Sequence, residues 1–158
     1  MDPNAMNFGD LDWLAIGLSV LAMMVIGFVW YAKWFPTGKV WMRNMGMDPA
    51  TMPPPPAGKM AVSMILMVLG SFLMMFVFAH TNMVYEDAFR NEDSGGSQDF
   101  ELRISDTLTG AVFTWLGFIV PLNLNGVAFE NKPWSLFFVN AGFYLVGLLV
   151  AGTLIATL

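Results

Sequence analysis

Few side chains in this sequence could do chemistry, and their spacing removes most reactions. His80 is the one histidine, and there is no cysteine. A zinc site needs several converging His, Cys or carboxylate ligands, and a hydrolytic triad needs a nucleophile and an acid around its histidine. Glu86 and Asp87 are the acids nearest to His80 in sequence, and no second His exists. Without cysteine, disulfides, thiolate metal sites and thiol nucleophiles are excluded. Among the 14 methionines, Met42, Met45 and Met47 form the densest group, and thioethers are soft ligands for copper(I). Methionine also recurs inside apolar runs, as in Met23-Met24 and Met74-Met75, where it acts as adaptable filler. The expectation is a protein that is no enzyme, with no catalytic residue, no metal and no cofactor, accompanied by bound lipid.

The remaining polar candidates are neutral and sit in apolar surroundings. Asn140 lies in the last apolar run, and Asn123 and Asn125 lie near the end of the third. Such side chains cost free energy in hydrocarbon unless they bond across helices, at about 0.6–2 kcal/mol per bond. They read either as helix–helix ties, including a cap on the carbonyl that Pro121 frees, or as the polar lining of a small-ligand site. Pro121 has no N–H to give Gly117, so it kinks or unwinds its helix there. Broken helices are also where transporters bind substrate. Gly147 and Ala151 have small-xxx-small spacing, which fits oligomerisation or close internal packing.

The elements that must carry these residues are four long apolar runs, expected as helices over about 11–35, 60–80, 107–127 and 134–157. No charge falls from Met60 to Ala79, from Leu108 to Phe129, or after Lys132; from Leu11 to Trp34 only Asp12 and Lys33 are charged. Hydrocarbon gives backbone groups no water, so each run must satisfy its own hydrogen bonds as a helix. The fold class is therefore all-α: one domain of 158 residues crossing a membrane four times. With no ionisable group at mid-span, a pump or ion-coupled transporter is disfavoured, while a backbone-lined pore stays open. A hydrophobic share of 56% leaves no room for a separate soluble domain, and seven scattered Lys and Arg make no nucleic-acid face.

The connections set an orientation. Lys33, Lys39, Arg43, Lys59 and Lys132 lie in the first and third connections, while the second, 82–105, is acid-rich with Arg90 and Arg103. Basic loops stay cytoplasmic, so both termini and the acidic loop are expected outside a bacterial inner membrane. The first apolar run is too long, and its flank too acidic, for a cleaved signal. Within segment 36–58, residues 37–46 read as a short interfacial helix ended by Asp48-Pro49, and Pro53 to Pro56 as a stiff extended arm. Asn91 to Ser97 reads as a flexible turn, and Ser105 as the N-cap of span three. Trp30, Tyr31, Trp34, Trp41 and Trp134 are expected as interfacial anchors. Gly27-Phe28-Val29 and Gly117-Phe118-Ile119 hint at a parallel two-plus-two repeat.

Trp30-Tyr31, Trp115-Leu116-Gly117-Phe118 with Pro121, Phe129-Glu130, and Asn140-Ala141-Gly142-Phe143-Tyr144 together resemble the bacterial DUF1761 family, a domain of unknown function. The resemblance covers nearly the whole chain and implies a small four-span inner-membrane protein, without implying a reaction. Ala32-Lys33 stands where the family commonly has a proline, and Tyr144 where a histidine is common. The functional expectation is a non-catalytic membrane protein, a homo-oligomer or an accessory subunit of a larger membrane complex, whose partners are lipids and membrane protein. The alternative is a small-solute channel or transporter using the Pro121 bend and Asn123, Asn125 and Asn140.

Overall fold

Four helices long and apolar enough to cross a membrane dominate the computed structural model: Trp13–Trp30, Ala57–Val84, Ile104–Phe129 and Trp134–Thr157. The structure describes residues 11–48, 50–51, 53, 55–90 and 100–158. In chain order the elements are α1 (Trp13–Trp30), α2 (Pro36–Asn44), α3 (Ala57–Arg90), α4 (Phe100–Thr114), a π-helical turn (Trp115–Ile119), α5 (Val120–Phe129) and α6 (Trp134–Thr157). The all-α, four-span fold class read from the sequence is the one observed, and no strand occurs among the described residues.

Local chemistry moves several helix ends from where the apolar runs alone put them. Asp12 starts α1: its Oδ1 accepts from the backbone N–H groups of Leu14 at 2.9 Å and Ala15 at 3.0 Å. α1 stops at Trp30, with Tyr31 as its C-cap, and does not continue to Phe35; Pro36 holds Phe35 extended and opens α2. The chain then folds back. The Thr37 hydroxyl donates to the Trp30 carbonyl, and Gly38 lies directly against the Ala32 carbonyl, where any Cβ would collide. The short helix expected over 37–46 is α2, but Asp48-Pro49 does not end it. Gly46, at φ +66°, ends it: Gly46 N–H bonds the Arg43 carbonyl and Met47 N–H bonds the Met42 carbonyl.

α3 begins a little before the expected Met60, directly after Pro56, and runs well past residue 80. Ser105 is not an N-cap. α4 already starts at Phe100, since nothing in residues 100–104 breaks a helix, and the Ser105 carbonyl accepts from Thr109 inside it. The turn expected at Asn91–Ser97 lies outside the described residues, as do Pro49, Met52 and Pro54 of the first connection.

α6 is the central helix. It packs along α1 and α4 and also meets α2 and α5, whereas α3 leans mainly on α1 and α4. The close-packed core fills the half of the bundle that holds the start of α1 and the end of α6. There Ile16, Met75, Phe78, Ala111, Leu148 and Ala151 are buried together. Gly147 lets α1 approach: a Cβ at that position would strike the Met23 sulfur. The spacing of Gly147 and Ala151 is thus used inside the molecule.

Candidate functional site

The other half of the bundle is parted by a cavity that is partly open to the outside, where Phe28, Leu66 and Leu122 of its wall are exposed. A cavity of about 990 Å³ lies between the end of α1, the first half of α3, the π turn with α5, and the start of α6. That is at the large end of the roughly 300–1,000 Å³ typical of small-molecule sites. Much of its wall is apolar, from Met23, Phe28, Leu66, Met67, Met74 and Phe143, and into it point Tyr31, Ser71, Asn123, Asn140 and Tyr144. Met23, buried against Gly147, stands at the end that meets the packed core.

Three hydrogen bonds to one stretch of α6 hold the polar wall. The Trp30 indole N–H donates to the Val139 carbonyl at 2.9 Å, and the Trp115 indole N–H to the Ala141 carbonyl at 2.7 Å. Between these two contacts, the Tyr31 hydroxyl donates to Asn140 Oδ1 at 3.1 Å. In hydrocarbon, bonds of this kind fix which helix faces meet, where apolar packing alone leaves rotation loosely set. Tyr31 in turn packs edge-on against Trp41, with ring centroids 5.5 Å apart, which couples α2 to the same spot. Asn44 of α2 donates to the Ser135 hydroxyl at 3.0 Å, a second tie from α2 to α6.

The π turn places Trp115. Pro121 cannot donate to the Gly117 carbonyl, and the preceding turn widens instead of simply kinking: Val120 N–H reaches back five residues to the Trp115 carbonyl. The freed carbonyl is not capped by an asparagine. Asn123 Nδ2 bonds the Ile119 carbonyl at 2.9 Å, within its own helix, and turns the rest of its amide to the cavity. A second, small space of about 60 Å³ shares Leu122, Asn123 and Asn140 with the main cavity. It extends toward the connection between α5 and α6, where Lys132 and Glu130 pair at 2.7 Å.

Of the residues singled out in the sequence, the structure brings Asn123 and Asn140 together on the cavity. Pro121, Gly117 and Asn125 face outward, so Asn125 and the bend itself do not line it. Gly147 and Ala151 belong to the packed interior. Among the expected anchors, Trp34 and Trp134 are exposed, while Trp30, Tyr31 and Trp41 are half-buried, and Trp30 and Tyr31 hydrogen-bond to α6. Sequence reading missed Ser71 and Tyr144. Tyr144 carried a signal, since it follows Asn140 by four residues and so shares its helix face. Ser71 carried a weaker one, as one of two hydroxyls in the apolar stretch from Met60 to Ala79.

Fold and cavity together define an all-helical, multi-pass membrane protein with a largely apolar cavity, carrying a few polar groups, between its spans. A family model described as "Protein of unknown function (DUF1761)" matches residues 14–156, and the chain belongs to that family. No curated protein and no solved structure matches it.

Proposed function

We propose that this is a non-catalytic integral membrane protein whose working part is the intramembrane cavity, which holds a small molecule. The observation that carries this reading is the placement of Asn123 and Asn140, from different helices, on one hollow of about 990 Å³ beside Tyr31, Ser71 and Tyr144. Buried polar groups in hydrocarbon are costly and default to a functional role. The cavity meets a close-packed core at one end, which argues for a blind binding site and against an open channel. Because α2 and the basic residues of the first and third connections lie at the hollow end, the same reading puts that end on the cytoplasmic side and both termini outside.

The subunit or homo-oligomer reading loses the support of Gly147 and Ala151, which are consumed by internal contacts. It would have to use another face, such as that of Phe113 and Phe118, and lipid covers such a face equally well.

Gly70 tests the cavity reading directly. It lines the hollow and has nothing within 4 Å of where a Cβ would stand, so Gly70→Trp fills the space without a backbone clash. Native mass spectrometry of protein purified in mild detergent is expected to show a retained small molecule on the wild type and none on Gly70→Trp. A wild type that carries nothing, or a variant that carries the same mass, overturns the reading.

A further inference from the structure

The hydrogen bonds left open on the cavity wall say what kind of molecule fits it. Asn140 Oδ1 is engaged by Tyr31, but among the described residues no acceptor meets the two N–H bonds of its Nδ2, which is not shut in by protein. Asn123 has the reverse need. Its Nδ2 is used by Ile119, and its Oδ1 lacks a donor among the described residues. The hydroxyls of Ser71 and Tyr144 also face the hollow without a hydrogen-bonded protein partner among those residues. In hydrocarbon an unmet donor and an unmet acceptor both carry a penalty, which a matching ligand group removes.

Charge narrows the class further. No Asp, Glu, Lys, Arg or His lines the main cavity. An ionised head group there would lose its hydration and gain no counter-charge. The nearest charges, Lys132 and Glu130, stand beyond the small second space and neutralise each other at 2.7 Å. The rest of the wall is methionine, leucine and phenylalanine, which suits a flexible hydrocarbon body.

We propose that the cavity takes a neutral amphipathic molecule, with a hydrocarbon body along Met67, Met74 and Phe143 and an uncharged head that both accepts and donates hydrogen bonds between Asn140 and Asn123. A primary alcohol or an amide has this chemistry; a carboxylate or a quaternary ammonium does not. The head-group inference rests on the cavity reading above, and the experiment separates the two.

The full-length chain in nanodiscs is titrated with four probes of equal chain length: dodecanol, dodecane, dodecanoate and dodecyltrimethylammonium, with empty nanodiscs as the blank. Dodecanol is expected to bind about tenfold more tightly than the other three, roughly the worth of one well-formed hydrogen bond. Asn140→Leu should bring dodecanol down to the affinity of dodecane and leave dodecane unchanged. Asn123→Leu should give a smaller loss in the same direction, and it decides the matter if Asn140→Leu does not fold. Equal binding of dodecanol and dodecane, tighter binding of either ion, or an undiminished alcohol preference in the folded variants overturns the head-group inference and leaves the cavity reading standing. A folded wild type that binds none of the four takes down the cavity reading itself.

Discussion

The two ends of this bundle join the same helices by different means and reach opposite results. Toward the start of α1, small and medium side chains interlock, and Ile16, Met75, Ala111, Leu148 and Ala151 are at most 1% exposed. Toward the end of α1 the helices are held by indole, phenol and amide hydrogen bonds, and the space beside those bonds is left unfilled. Between helices in hydrocarbon, lipid tails match the side chains in polarity, so contact and directed hydrogen bonds provide the holding force. Close packing gives rigidity and no room; polar ties give fixed orientation and a hollow. A molecule that needs both a stable frame and a site can therefore divide the work along its own axis.

The sharpest way to break this contrast is to place a large side chain at a glycine in each half. Gly147→Leu should displace Met23 and strain the α1–α6 contact, because the Met23 sulfur already fills the place of a Cβ, with a loss of about 1–3 kcal/mol and a lowered thermal transition in detergent. The matching change in the hollow half, Gly70→Trp, should melt near the wild type. Similar melting of the two variants would mean that the halves do not differ in packing. A smaller effect is expected at a polar tie. Trp30→Phe removes the N–H given to the Val139 carbonyl together with the indole edge that lies against Gly142, for a loss of about 1–2 kcal/mol in the same assay. The smallest effect has the opposite sign. The Ser19 hydroxyl is fully buried in the packed half and has no partner among the described residues. Ser19→Ala should therefore leave stability unchanged or raise it by up to about 1 kcal/mol. A clear loss there would place an unseen partner inside the core.

Much of the fold was legible because one rule governs it: a run of about 20 apolar residues in hydrocarbon has to be a helix. Helix ends were less legible, because single residues decide them. Gly46 ends α2 in place of Asp48-Pro49, and Pro36 opens α2 where the apolar run alone suggests a continuing α1. Facing was least legible. These spans are apolar all round, so periodicity does not say which side meets a neighbour. Asn123 and Asn125 looked equivalent in sequence, yet only Asn123 reaches the cavity, because residues two apart on a helix point to different sides. Nothing in the sequence near Tyr31 shows that its hydroxyl bonds Asn140, which lies 109 residues away in the chain.

The widened turn at Trp115–Ile119 makes the third span a helix with one surplus residue. Each α-helical residue advances the azimuth by about 100°. Deleting a single residue from that turn would regularise the span yet swing the segment before it by roughly that angle against the segment after it. The Trp115 indole could then no longer bond α6 while Asn123 faces the cavity. The irregularity works as a phase corrector, and a tidier helix would be a disconnected one.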